Sequence, residues 1–267
     1  MPFFHSQGRA LYYERHGNGP ALVFLHGAGS NAATWWQQLP AFTPHYTCYV
    51  VDIRCFGRSV APTSEFRLPV FTADMIALLD HEDIGKATVI GQSLGGMIGL
   101  ALAVHHPDRV AAFVSCDSSL AIDHPRQLEI LEKRVRAVAA LSIEQRSLGT
   151  WFLAHEPAKA ALYAQINHFN PSALSIPRGD WQAAIENLHR KDDLVPLERL
   201  AHVACPTLLL VGREDPIVPV DIMQEVQSRI PGSELTVIER AAHSAYFEQA
   251  DEFNRRVLDF LGRRLRA

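Results

Sequence analysis

The stretch VIGQSLGGMIG, Val89 to Gly99, sets one serine among glycines, directly after an apolar β-branched run and directly before a helix-like one. Gly91-Gln92-Ser93-Leu94-Gly95 reads G-x-S-x-G, and the flanking pattern puts it between a strand over 87–92 and a helix over 94–105. Such a strand-to-helix turn is tight. Small residues two positions before and after the serine are a steric requirement, because Cβ atoms there would meet the adjoining strand and helix. The helix opening at Leu94 aims the positive end of its dipole at negative charge developing beside Ser93. On the motif alone, a glycine-rich turn with an inert serine competes with this reading, so the rest of the chain has to decide.

Working outward, apolar runs of strand length recur between helical patterns: ALVFLHG (21–27), YTCYVVD (46–52), ATVIGQ (87–92), VAAFVSC (110–116), TLLLVG (207–212) and ELTVIE (234–239). Runs of this kind, buried on both faces and alternating with helices, predict an α/β fold with a mostly parallel sheet flanked by helices. FFHS and ALYYER around Gln7-Gly8 predict an antiparallel hairpin at the sheet edge. From Cys116 to Cys205 no strand-like run appears, too long a span for a bare connection. RQLEILEKRVRAVAAL, IEQRSLGTWFLAH, PAKAALYAQINHF and DWQAAIENLHR, separated by Pro125, Pro157, Pro171 and Pro177, read as amphipathic helices. The expected organisation is a core of 1–117 and 201–267 with a helical cap inserted over 118–200.

Composition bounds the function. With 267 residues, 48% hydrophobic and 20% charged, the chain can bury one large core. A net charge of −4 gives no footprint for nucleic acid, and the terminal FLGRRLRA suits the negative end of a helix dipole. No run reaches about 18 apolar residues and no signal-like start is present, so a cytoplasmic protein without a membrane partner is expected. Cys48, Cys55, Cys116 and Cys205 lack CxxC or zinc-finger spacing and read as free packing thiols. Neither H-E-x-x-H nor the P-loop pattern occurs, and no metal is expected. GAGSNA (27–32) with Asp52 at the end of the next strand does fit a dinucleotide fingerprint. Against it stand His26 before the first glycine and the absence of any Tyr-x-x-x-Lys pair.

Nucleophilic catalysis by Ser93 needs a base, and the base needs an acid to fix its tautomer. Asp215 in VGREDPIVP follows strand 207–212 and His243 in ERAAHSAYF follows strand 234–239, giving the order Ser, Asp, His. Glu214 and Asp117 compete for the acid role. Asp215 is preferred because Pro216 and the apolar residues after it suit a fixed loop. An oxyanion hole requires two amides, expected from Leu94 and from Ala28 in the turn His26–Gly29. His26, Trp151, Phe152 and Trp181 are the candidate substrate contacts.

Taken together, HGAGS (26–30), DIRCFGRS (52–59), GQSLGG (91–96), HHPDRV (105–110), GREDPIVP (212–219) and AAHSAYFEQADEF (241–253) resemble the α/β-hydrolase superfamily. Cys55 departs from the glycine common at its position, which leaves its thiol either near the pocket mouth or packed. Within the superfamily, G-x-S-[LM]-G-G-M is most similar to small-molecule ester and lactone hydrolases, enol-lactonases included. The resemblance implies a cofactor-free serine hydrolase acting through an acyl-enzyme. Two alternatives stay open: a carbon-carbon hydrolase of a vinylogous diketone, and a ligand receptor on the same fold with slow hydrolysis. Few charges between Trp151 and Trp181 point to an uncharged or aromatic-apolar small-molecule substrate, and a homo-oligomer is compatible with the composition.

Overall fold

The strands lie side by side in the order β1-β2-β4-β3-β5-β6-β7-β8, in a computed structural model that describes residues 2–137, 141–168, 183–184 and 186–265. Their spans are β1 (Phe3–Ser6), β2 (Arg9–His16), β3 (Ala21–Leu25), β4 (Thr47–Val51), β5 (Ala87–Gln92), β6 (Val110–Cys116), β7 (Thr207–Gly212) and β8 (Glu234–Ile238). β1 and β2 form the antiparallel edge hairpin, β2 joins β4 antiparallel, and every later pairing is parallel. The fold is thus the mostly parallel α/β sheet expected from the apolar runs.

Those runs are apolar because both faces of the sheet are covered. All residues of β4, β5 and β7 are buried, whereas β8 at the edge fully buries only Ile238. Val23, Leu25 and Val89 pack on one face with helices α2 (Leu68–His81) and α3 (Leu94–His105). On the other face Leu22, Phe24, Val50 and Ile90 meet Trp35, Phe42 of α1 (Leu39–Phe42) and the terminal helix Ala250–Arg264. At the exposed end of that helix Arg263 and Arg264 both pair with Glu234 of β8.

Register sets the active edge. Leu25 pairs with Gly91, Gly91 with Ser115, and Cys116 with Leu210, so the strands end in step and the loops after them gather at one edge. Between β6 and β7 lie α4 (Pro125–Ala137), α5 (Ile143–Ser147), α6 (Thr150–His155) and α7 (Pro157–His168). Ile122 and Val195 form a parallel bridge where this segment leaves and returns.

One expected helix is broken. Residues 143–155 form α5 and α6 with a gap at Leu148-Gly149, because Gly149 N–H donates to Glu248 Oε2 at 2.6 Å and Thr150 N–H to Glu214 Oε2 at 3.0 Å. Side-chain acceptors distant in sequence, Glu248 at the end of the short helix Ala245–Glu248 and Glu214 in the loop after β7, replace the intrahelical carbonyls at that point. Among the described residues, no helix is long and apolar enough to cross a membrane.

Candidate active site

Ser93 stands between β5 and α3 at φ 49°, ψ −111°. A non-glycine residue rarely occupies this region, and holding it there costs about 1–3 kcal/mol. The neighbours make room. A Cβ on Gly95 would lie 2.1 Å from Leu25 O, and one on Gly91 would lie 2.2 Å from the Gly95 carbonyl carbon and oxygen. Ser93 N–H donates to Cys116 O at 3.0 Å, while Ser118 Oγ donates to Ser93 O at 2.6 Å. The backbone of Ser93 is thus held at its N–H by the last residue of β6 and at its carbonyl by the loop just beyond that strand.

His243, in the loop after β8, brings Nε2 to 3.1 Å from Ser93 Oγ and Nδ1 to 2.9 Å from Asp215 Oδ2. Asp215 accepts, so Nδ1 carries the proton and Nε2 is left to accept from the serine hydroxyl. The other aspartate oxygen accepts Ile217 N–H at 2.7 Å and Val218 N–H at 3.2 Å, which fixes the carboxylate in its loop. Gln92 Nε2 donates to His243 O at 2.7 Å and Tyr163 of α7 bonds Ser244 Oγ at 2.9 Å, steadying the histidine's main chain. Burial pulls the imidazolium down, but the charge and hydrogen bond of Asp215 more than offset it, and His243 stands above its ordinary value.

The competing acids sit elsewhere. Glu214 is exposed and bonds Thr150 through its hydroxyl at 2.9 Å. Asp117, at the end of β6, is fully buried and accepts Gly212 N–H at 2.7 Å and Ala245 N–H at 2.8 Å, with no bond to His243. Burial first, and then the charge of Asp215, push its carboxyl up to about 7.

Leu94 is the first residue of α3, where an amide has no intrahelical acceptor. The turn carrying Ala28 comes close because Gly27 has no side chain: a Cβ there would lie 2.1 Å from Gln92 Oε1 and 3.2 Å from Ser93 Cβ. Among the described residues, neither the Ala28 nor the Leu94 amide donates to a protein acceptor.

Two of the expected substrate contacts, His26 and Phe152, are packed into the interior. His26 is fully buried: its Nε2 accepts Ile53 N–H at 2.9 Å, its Nδ1 lies 2.7 Å from Gly27 O, and its ring meets Phe56 edge-on. Burial depresses it to about 4, so it is a neutral pin for two loops and offers no surface to a ligand. Phe152 is likewise fully buried, edge-on to Phe247, in the core beneath α6. Trp151 stacks on exposed His155 and under Arg240. Trp181 lies outside the described residues.

The dinucleotide reading loses its acid, since buried Asp52 accepts Ala32 N–H and Arg58 N–H, each at 2.7 Å. Cys55 adopts φ 74°, the left-handed region that favours glycine, and its buried thiol points to Pro62 O at 3.6 Å, so it packs. Sequence reasoning missed Gln92, whose only signal was an amide at the end of an apolar strand. It also missed Glu248, whose oxygens accept from Gly149, Ala242 and Ser244.

Sheet order and edge site together define the class, a hydrolase built on an α/β sheet. The chain belongs to the alpha/beta hydrolase fold family, whose sequence profile matches residues 20–250. It is 30% identical over 265 residues to 3-oxoadipate enol-lactonase 2 of Acinetobacter baylyi, covering 96% of this chain and 97% of that one. With a pimeloyl-acyl-carrier-protein methyl ester esterase of Vibrio vulnificus it shares 27% identity over 264 residues, covering 95% and 98%. Among solved structures, an N-acyl homoserine lactone degrading enzyme superposes with a TM-score of 0.82 at 26% identity, covering 97% of this chain and 100% of that one. The enol-lactonase of Burkholderia xenovorans gives 0.81 at 25% identity, covering 98% and 100%.

Proposed function

We propose that this protein is a serine hydrolase of small-molecule carboxylic esters or lactones, with 118–200 as a cap over the site. The observation that carries the reading is the hydrogen-bonded series Ser93 Oγ, His243 Nε2 at 3.1 Å, and Asp215 Oδ2 at 2.9 Å from His243 Nδ1, set on a strained turn. The esterase and lactonase relatives support the bond type.

In this mechanism Ser93 Oγ attacks the carbonyl carbon as its proton passes to His243 Nε2. The Ala28 and Leu94 amides hold the oxyanion, and the α3 dipole reinforces them. Collapse breaks the bond to the leaving oxygen, which takes the proton from His243. A water, deprotonated by His243, then attacks the acyl-Ser93 ester, and collapse returns the proton to Ser93. Asp215 keeps the imidazole in the required tautomer and stabilises the imidazolium.

The test is labelling of the native protein with a fluorophosphonate, followed by peptide mass mapping and an ester and lactone panel. The expected adduct is on Ser93 and is lost in His243→Ala, with turnover falling by several powers of ten in Ser93→Ala and His243→Ala. A folded protein with no adduct on Ser93 would overturn the reading.

A further inference from the structure

Two arginines of the segment between β6 and β7 stand near the Ser93 site without a carboxylate of their own. Arg134 follows Gln127 by seven residues on α4, which puts the two on one face, about two turns apart. Gln127 shows where that face looks: its Nε2 donates to Ile217 O at 2.8 Å, in the loop that carries Asp215. Arg134 is half-buried, and its charge acts on both Asp215 and His243. Its Nη2 donates to the carbonyl of Arg146, at the end of α5. Half-buried Arg146 holds its Nε out of water with no acceptor.

Neither guanidinium forms an ion pair among the described residues, and the nearby carboxylates are engaged. Glu129 pairs with Lys133, Glu214 accepts from Thr150, and Glu248 accepts three amides. Glu132 and Glu144 have partners as well. Burial disfavours the cation at Arg134; the charge of Asp215 offsets part of this, and the neighbouring charge of Arg146 adds to the penalty. Two cations in partial burial, one with an unmatched donor, are an unfavourable arrangement for an empty site. A carboxylate relieves both defects, because its two oxygens match the guanidinium fork and its charge, set between the two cations, offsets their mutual repulsion.

We infer that Arg134 and Arg146 bind a carboxylate carried by the substrate itself, so that the preferred substrate is an ester or lactone with a free carboxylate remote from the scissile bond. This deepens the proposed function and rests on it. It also replaces the uncharged substrate expected from the sparse charge between Trp151 and Trp181: what matters is that Arg134 and Arg146 form no ion pair among the described residues and that Arg134 lies within electrostatic reach of Asp215 and His243.

The test compares p-nitrophenyl hydrogen glutarate with p-nitrophenyl pentanoate, close in length and differing in the terminal charge. Wild type is expected to favour the anionic ester by about tenfold or more in kcat/KM, and Arg134→Gln or Arg146→Gln to cut that ratio about tenfold, chiefly through KM. If a Gln variant does not fold, Arg134→Lys and Arg146→Lys serve instead. They keep the charge without the fork, and the ratio should fall about threefold. A wild-type ratio of one or less, or a ratio unmoved by every variant, would overturn the inference. Calorimetric binding of glutarate to Ser93→Ala, and its loss on adding Arg134→Gln, reads the arginines without turnover. No adduct on Ser93 with glutarate still bound would sink the hydrolase reading alone; an adduct with no glutarate binding would sink this inference alone.

Discussion

Ser93→Gly is expected to be more stable than Ser93→Ala, although the proposed mechanism predicts that both are inactive. The native φ of 49° and ψ of −111° lie where a Cβ is strained and glycine is not. Strain of about 1–3 kcal/mol is kept in the alanine variant and released in the glycine variant. Against this, glycine gains freedom in the unfolded chain, worth about 0.5–1 kcal/mol relative to alanine. Both variants lose the 3.1 Å bond to His243, so that loss cancels in the comparison. The difference left is about 1 kcal/mol in favour of glycine, or roughly 2–4 °C in Tm for a chain of this size. Thermal and urea unfolding of the two variants in one buffer would measure it. A glycine variant no more stable than the alanine one would mean that the turn is not strained at Ser93, and that other contacts hold the serine forward.

Further outcomes follow from the same geometry. His243 must be neutral to accept a proton and stands above its ordinary 6.5, so kcat/KM should fall on the acid side through a pKa above that value. Because folding favours the imidazolium, the linked stability is full below pH 6.5 and is lost as pH rises through the folded pKa. Asp215→Asn should move the acid limb to lower pH and cut kcat by about 10⁴; an unmoved limb would exclude Asp215 as the source of the shift. All four cysteines are buried, with Cys48 and Cys55 pushed up to about 12 by burial, so Ellman's reagent should find no fast thiol until denaturant is added. Asp74→Ala should cost about 3–5 kcal/mol in chemical denaturation, because it strips buried Arg54 of carboxylate bonds at 2.8 and 2.6 Å; a loss below about 1 kcal/mol would show that Glu65 alone suffices.

The sheet was legible because a strand covered on both faces must be apolar throughout, and the runs beginning at Ala21, Ala87, Val110 and Thr207 are continuous for that reason. Ser93, Asp215 and His243 were legible by the same logic, since each stands within a few residues of where such a run ends. The break at Gly149 was not. It depends on Glu248, 99 residues away, taking an amide that a local pattern assigns to a helix. His26 and Asp52 misled for a related reason. Spacing puts both at strand ends, where ligands are held, but only the folded partners show that each is already spent on backbone amides.

The same distinction separates a site's machinery from its specificity. Strand ends are fixed by sheet register, so the residues that follow them meet wherever the chain is long enough to build the sheet. In the proposed reading, specificity rests on side chains of a helical segment whose seating is set by scattered single bonds, such as Gln127 to Ile217 O, Asn31 to Ile166 O and Tyr163 to Ser244. None of these has a sequence signature. Charge counted along that segment therefore describes its average polarity, while recognition turns on which charges folding leaves unpaired. Among the described side chains of α4 and α5 those are Arg134 and Arg146: on helix periodicity alone they are ordinary solvated positions, and their departure from that role is a property of the packed structure.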